Sequence, residues 1–405
     1  MNVESIPLEG KTLMVGPVGS GKTTLLKKRY LEYVSAGWDS SNILLLVMNR
    51  SQSFIWRSRI DMKVPGKIVR TSFFGFVQRQ LRKYWPQVLE LYPQIEQKNL
   101  EPTFLSFEAS QYLMGKCVDK YRQDMALFAG ASVPTDRIAI ELTATLSRAA
   151  LAGIPYEEIG SRLRQGSGLG ATVDQEIYSE IDFVLREYIS RCLKEGCLDY
   201  GLATLLYCQG LLQDEHYIES LRAEYPVLLV DNLEEMAPAA TELVVQLLGG
   251  AKGALLSFCT DGGYSRFYGA DPEYALDRVS PLCSKIDLSH SYTCSRGMAQ
   301  FADEFGAYIV DESLPIPLIP ADIDVEWEID VPLRSQMIDE LKARVWQLID
   351  DEGVLPEDIA IIAPFVDTVL ECSLASYFDD RGIEITNTSR KRRAMDNPYT
   401  NAMIV

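Results

Sequence analysis

The segment Gly16-Pro17-Val18-Gly19-Ser20-Gly21-Lys22-Thr23 constrains the fold more than any other part of the chain. It lies between a short apolar run, Lys11 to Val15, and a stretch of helical periodicity from Lys22 to Ala36 that stops at Gly37. Strand, glycine-rich turn and helix in that order bring successive backbone N–H groups to a helix N-terminus, where they can cradle anionic oxygens. The glycines permit close approach, the lysine reaches β and γ phosphates, and the following hydroxyl can ligate Mg²⁺. Gly16, Pro17, Val18, Gly19, Ser20, Gly21, Lys22, Thr23 and Thr24 are therefore the expected binding residues for ATP. Lys22 is expected to act in catalysis and Thr23 to hold the metal.

Beyond this loop, strand and helix signals alternate. ILLLVM (Ile43 to Met48) and Lys67 to Thr71 read as buried strands, with helices from about Ser51 to Ile60 and Gly75 to Trp85. Such repetition implies a parallel sheet covered on both faces. From about Pro93 to Leu212 a 3.6-residue period replaces the strand signal, marking a helical insertion. GSGLG at Gly166 to Gly170 follows a helix rather than a strand and reads as a connector. Strands return at VLLV (Val227 to Val230) and ALLSF (Ala254 to Phe258). VLLV ends in Asp231, where a carboxylate at a strand end would serve a bound Mg²⁺. Glu234 and Glu235 follow, and their ordinary reading is a solvated helix start. After Leu288 come the proline-rich LPIPLIP, a helix from about Ser335 to Asp350, and IAIIA (Ile359 to Ala363) as a strand.

Charge and cysteine usage narrow the alternatives. A formal charge of −18, from 57 acidic and 39 basic side chains, disfavours indiscriminate adhesion to polyanions, so any nucleic-acid surface must be local. One such surface is visible from Arg50 to Lys83, where Arg50, Arg57, Arg59, Lys63, Lys67, Arg70, Arg79, Arg82 and Lys83 face the single acid Asp61. Arg390-Lys391-Arg392-Arg393 reads either as a phosphate contact or as a charged loop. The eight cysteines form no CxxC pair, and Cys192, Cys197 and Cys208 read as reduced core thiols. This fits a cytoplasmic protein, and no apolar run approaches a membrane span.

The order of these features resembles the UvrD/Rep-type superfamily 1 DNA helicases and the related RecB and AddAB subunits. VMNRSQSFIWRSRI (Val47 to Ile60) is similar to the family's TFTNKAAxEMxxRI, and Thr71-Ser72-Phe73-Phe74 to its TxHS. Cys197-Leu198-Asp199-Tyr200 resembles the start of DFxDLL, TDGGYSRFYGADPEYA (Thr260 to Ala275) a shortened GDxxQSIYxFRGA, and LSHSYTCS (Leu288 to Ser295) LxxNYRS. The resemblance implies an α/β fold: a RecA-like P-loop NTPase parallel sheet with an all-helical insertion and part of a second RecA-like domain. The expected divisions are 1–92 and 213–287 for the first RecA-like domain, 93–212 for the insertion and 288–405 for the partial second domain.

The same resemblance implies ATP-dependent translocation on, or unwinding of, single-stranded or partially duplex DNA in repair or recombination, with a partner helicase or nuclease subunit as a further possibility. Arg50, Arg57, Thr71, Phe73, Phe74, Phe267 and Tyr268 are its expected DNA contacts, cations tracking phosphates and aromatics stacking on bases. Several departures weaken the motor reading. Asn232 replaces the glutamate of DExxD that would polarise water, Tyr264 or Gly263 occupies the place of a glutamine, Phe73 that of a histidine, and Thr293 that of the arginine in NYRS, with Arg296 close by. An amide is no useful base near neutral pH, so Glu234 and Glu235 are the remaining candidates for that catalytic role. The chain also stops before the family's later motifs, as a truncated and partly degenerate member would. The alternative expectation is a pseudo-helicase, an ATP-binding scaffold like AddB without motor activity.

Overall fold

A computed structural model describes residues 6–49, 52, 56, 67–96, 100–130, 133–166, 176–311, 313–327 and 330–387. The chain divides into two compact units, Met1–Ala299 and Gln300–Val405.

In the first unit, six parallel strands form one sheet. They are β1 (Gly10–Gly16), β2 (Ile43–Leu46), β3 (Val69–Thr71), β6 (Val227–Val230), β7 (Gly253–Cys259) and β8 (Ser284–Asp287). Their order across the sheet is β3-β2-β6-β7-β1-β8. Alternate residues divide between two apolar cores. Leu13, Leu44, Leu46, Leu228, Val230 and Leu256 face one side. Met14, Ile43, Leu45, Val227, Leu229 and Leu255 face the other. With helices on both faces, every residue of β2, β6 and β7 is buried, which explains why these strands read as continuous apolar runs.

Helix α1 (Lys22–Ser35) covers the second face through Leu26, Tyr30 and Tyr33. Its Arg29 is buried and donates to the Ile6 and Pro7 carbonyls, tying down the segment that leads into β1. The opposite face receives α2 (Phe73–Lys83), α3 (Trp85–Leu91) and the insertion helices α4 (Phe107–Met125), α5 (Thr135–Leu151), α6 (Ile159–Gly166), α7 (Glu176–Lys194) and α8 (Tyr200–Gln209). Two short parallel strands, β4 (Thr103–Phe104) and β5 (Cys197–Leu198), open and close the insertion. Asp199 then caps α8, accepting from Leu202 N–H at 2.7 Å. Helices α9 (Glu215–Glu224), α10 (Pro238–Leu248) and α11 (Pro272–Val279) complete the layer.

Helix α12 (Arg296–Val310) precedes the second unit's α13 (Arg334–Asp350) and α14 (Thr368–Asp379), which share a small core of Ile338, Val345, Leu370, Leu374 and Phe378. The strand expected at Ile359 to Ala363 is extended but unpaired among the described residues. Ile359, Ile361 and Ala363 pack against that small core while Ile362 points outward, so the alternation is present without a ladder partner. No helix among the described residues is long and apolar enough to cross a membrane.

Candidate nucleotide site

All strands of the large sheet run the same way, so the loops after β1, β6 and β7 gather at one edge, where open α/β sheets bind ligands. The loop after β1 is tightly bounded. Gly19 and Gly21 have φ of 75° and 84°, in the left-handed region that favours glycine. Gly16 touches the Leu288 carbonyl so closely that a Cβ would collide with it. The Lys22 ammonium turns into the loop and donates to the Gly16 carbonyl (2.7 Å), the Pro17 carbonyl (2.6 Å) and Ser20 Oγ (3.1 Å). It is thus held beside the backbone that phosphates would share. Thr24 is exposed on the first turn of α1, next to Thr23, and Val18 at the loop's crest is also exposed.

Asp231 at the end of β6 is buried, and each of its partners donates. Thr23 Oγ1 (3.0 Å) and Ser257 Oγ (2.9 Å) meet Oδ1, and the Trp56 indole N–H (3.1 Å) meets Oδ2. Burial pushes its carboxyl above the ordinary aspartate value, and the bonds from Ser257, Thr23 and Trp56 oppose that rise. Two cis ligands of an octahedral ion at ~2.0–2.1 Å stand about 2.9 Å apart. The Thr23–Asp231 oxygen pair matches that edge. Among the described residues no group of three His, Cys, Asp or Glu side chains could hold a metal alone. Mg²⁺ at this pair would therefore complete its shell with phosphate oxygens and water, as Mg²⁺ commonly does.

The residue after Asp231 sits in a network of side-chain hydrogen bonds. Asn232 has φ 59°, a conformation asparagine tolerates better than most residues. Its Oδ1 accepts from Gln52 Nε2 and its Nδ2 donates to Glu234 Oε1, both at 2.9 Å. Glu234 is 1% exposed, and its other oxygen accepts from Cys259 N–H at 2.9 Å. Burial raises its pKa, against the bonds from Asn232 and Cys259. Glu235 turns the other way: Oε1 accepts from Gly263 N–H (2.8 Å) and Tyr264 N–H (3.0 Å), and Oε2 from Ser265 N–H (2.9 Å). Burial alone would raise this carboxyl, but the bonds from Ser265, Gly263 and Tyr264 hold it below the usual range.

Glu235 thereby anchors a 3-10 turn, Tyr264–Tyr268, that presents aromatic rings to solvent. Tyr264 is 86%, Phe267 76% and Tyr268 67% exposed, and the last two rings meet edge to face at 5.5 Å. Phe74 is half-buried against Tyr200, 4.3 Å between centroids, and Thr71 ends β3 nearby in sequence. Phe73 is different: it is 9% exposed, packs on Tyr207 in the core, and offers no free face for a base. Arg50 and Arg57, with most of the segment between them, lie outside the described residues, as do Ser167 to Gly170 and Arg390 to Arg393.

Five contributors to the site escape sequence reading. Gln52, Trp56 and Ser291 carry no local signal, Ser257 is a lone hydroxyl within an apolar strand, and Asp261 is hidden in the TDGGYS segment. Asp261 accepts from Val18 N–H at 2.7 Å and from the Cys259 thiol at 3.0 Å, bracing the P-loop from the end of β7. Ser291 and Thr293 lie against Gly19, close enough to exclude a Cβ there, and Tyr292 N–H donates to the Gly19 carbonyl at 2.9 Å. The segment resembling LxxNYRS therefore does reach the phosphate loop, with threonine where the family has arginine.

A glycine-bounded P-loop, a strand-end carboxylate bonded to its threonine, and the LSHSYTCS segment folded onto it are joined by a family match: the model of the UvrD/REP helicase N-terminal domain matches residues 2–262. The chain belongs to the UvrD/Rep helicase family. It is thus a superfamily 1 helicase-like, ATP-binding and DNA-binding protein. No curated protein matches the chain.

Proposed function

We propose that this UvrD/Rep-type chain binds ATP with Mg²⁺ and single-stranded DNA but turns ATP over slowly, acting as a nucleotide-responsive DNA-binding scaffold in repair or recombination. The observation that carries this reading is Asn232, whose amide is held between Gln52 and Glu234 where a general base belongs. An amide does not take up a proton near neutral pH, and loss of a general base typically slows a reaction by about 10²–10⁴. Glu234 and Glu235 are the other catalytic candidates, but both spend carboxylate oxygens on backbone N–H groups of the β7 end and the 263–265 turn. In this reading they position the site.

Lys22 and Thr23, with Gly16 to Gly21 and Thr24, would hold the triphosphate, and Thr23 with Asp231 the metal. Bound Mg²⁺ would supply charge neutralisation for the phosphate oxygens. Phe74, Phe267 and Tyr268, with Thr71, Arg50 and Arg57, would engage DNA. Glu235 links the two sites, because it follows the Asp231 strand end directly and holds the aromatic turn. The scaffold reading also accommodates a partner helicase or nuclease subunit that supplies the motor. The motor reading rests on the family to which the chain belongs, since Lys22, Thr23 and Asp231 serve nucleotide binding under both readings. DNA-stimulated hydrolysis by the purified chain, measured beside equilibrium ATP binding, separates them. Tight binding with slow turnover supports the scaffold, and turnover in the ordinary enzymatic range of about 1–10³ s⁻¹ supports the motor.

A further inference from the structure

The end of the basic run lies away from the nucleotide loops. Helix α2 starts at the carboxyl end of β3 and runs back along the sheet, so Arg79 and Lys83 in its last turns reach the opposite edge from the nucleotide loops. There a cavity of about 270 Å³ is lined by Ser41, Lys67, Arg79, Gln80, Lys83 and Glu224, with Val69 and Tyr225 as its apolar and aromatic wall. Ser41, Lys67 and Tyr225 immediately precede β2, β3 and β6, which fixes the pocket at the amino ends of the strands.

The polar inventory of this pocket is unbalanced. Among the described residues, Arg79 Nε and Nη2 are buried without a hydrogen-bond partner, although the guanidinium lies over the Phe76 ring, 5.5 Å from its centroid, and feels the charge of Glu224. Gln80 is 1% exposed, and its Oε1 is likewise buried and unpartnered. Buried donors of a cation and a buried amide acceptor left unmatched are costly, at about 1–3 kcal/mol per group or more for a charged one, so such groups point to a missing partner. The lining carries three cations against one anion, Glu224, which is bonded to Lys83 at 2.6 Å. In a chain of net charge −18 this is a local excess of positive charge.

We propose that Lys67, Arg79 and Lys83 form a second phosphate site, for a phosphate monoester that enters against this cationic lining, where a small shift of the Arg79 and Gln80 side chains would turn the buried Nε and Nη2 donors and the Oε1 acceptor onto it. A guanidinium fork pairs with two phosphate oxygens at once, and a protonated phosphate or adjacent sugar hydroxyl supplies the donor that Gln80 lacks. The volume lies at or below the lower end of ligand pockets, about 300 Å³, so only a phosphate and its immediate attachment are enclosed. The ester is either a small sugar phosphate or the 5′-phosphate end of a nucleic acid.

Isothermal titration of the full chain tests this, in a Lys22→Ala background that weakens phosphate binding at the P-loop. The probes are inorganic phosphate, ribose 5-phosphate, and a short oligodeoxynucleotide with and without a 5′-phosphate. Arg79→Met, which keeps an apolar stem over Phe76, and the surface change Lys67→Ala are each expected to weaken binding by about tenfold or more. Glu224→Gln removes the opposing charge and is expected to tighten it, a direction that misfolding does not mimic. Preference for the phosphorylated over the unphosphorylated oligonucleotide assigns the site to nucleic-acid ends. Equal or tighter binding of ribose 5-phosphate assigns it to a small ester. Phosphate binding that disappears with Lys22→Ala alone, or that ignores both Arg79→Met and Glu224→Gln, overturns the proposal.

Discussion

Replacing Asn232 with glutamate restores the residue that the family carries, yet the surroundings of this position are built for an amide. Two penalties are expected. A longer side chain must adopt φ near 59°, which costs about 1–2 kcal/mol for residues other than glycine and the short Asx side chains. The Asn232 donor to Glu234 also vanishes, and a second carboxylate arrives 2.9 Å from a buried one, at a cost of about 1–3 kcal/mol for the unsatisfied acceptor alone. Together these amount to roughly 2–5 kcal/mol, or a fall in Tm on the order of 10 °C at ~2–4 °C per kcal/mol. Adding Glu234→Gln returns a donor to the introduced carboxylate while its carbonyl still accepts from Cys259 N–H, so the double variant should regain about 1–3 kcal/mol. It should also hydrolyse ATP faster than wild type, by up to about 10²–10⁴. Differential scanning calorimetry and a DNA-saturated ATPase assay on wild type, Asn232→Glu and the double variant give both readings. An Asn232→Glu chain as stable as wild type, or a well-folded double variant with unchanged turnover, would refute the reasoning.

Other expectations follow from the same geometry. Lys22→Ala removes the only cation within the P-loop segment and should weaken ATP·Mg²⁺ binding by about tenfold to a hundredfold in isothermal titration. Phe267→Ala and Tyr268→Ala should each weaken single-stranded DNA binding by about 1–3 kcal/mol in fluorescence anisotropy without lowering Tm, because both rings are largely exposed. Asp231→Asn should reduce the Mg²⁺-dependent part of ATP affinity and lower Tm, because its amide N–H would face one of three groups that all donate to Asp231, and the wild-type carboxyl should show its own pH dependence. The sign follows from burial: a carboxyl raised above 3.8 binds its proton more tightly folded than unfolded, so its ionisation opposes folding. The contribution of this carboxyl to wild-type stability should accordingly be fullest below the ordinary aspartate value and be lost as pH rises through the raised pKa, while Mg²⁺·ATP affinity should decline as pH falls through the same window. Thermal melts and titrations across that range check it.

Much of this site is legible in the sequence because its signals are local. GPVGSGKT between strand and helix, and VLLV ending in Asp231, each need only a few consecutive residues, and the structure brings Thr23 and Asp231 to 3.0 Å. The central strands are legible because burial on both faces demands continuous apolar runs. Edge strand β8, SKID, is largely exposed and charged, so no hydrophobic pattern announces it. Long-range bonds are equally silent: Gln52 to Asn232, Trp56 to Asp231, and Glu235 to the 263–265 turn depend on which strand ends become neighbours. Phe73 and Phe74 look interchangeable in sequence, and helix phase alone sends the first into the core and leaves the second half-buried. Nor does any local pattern show that α2 carries Arg79 and Lys83 to the edge of the sheet opposite the nucleotide loops.

The most direct test of the central claim is a single sample in which ATP binding and ATP cleavage are followed together. The full chain, Mg²⁺ and saturating single-stranded DNA are mixed with labelled ATP, and aliquots are divided between filter retention and acid quench. The account predicts that retained nucleotide stays mostly ATP, with cleavage about 10²–10⁴ slower than the ordinary enzymatic range of about 1–10³ s⁻¹. Retained nucleotide that is converted to ADP at ordinary rates would contradict it.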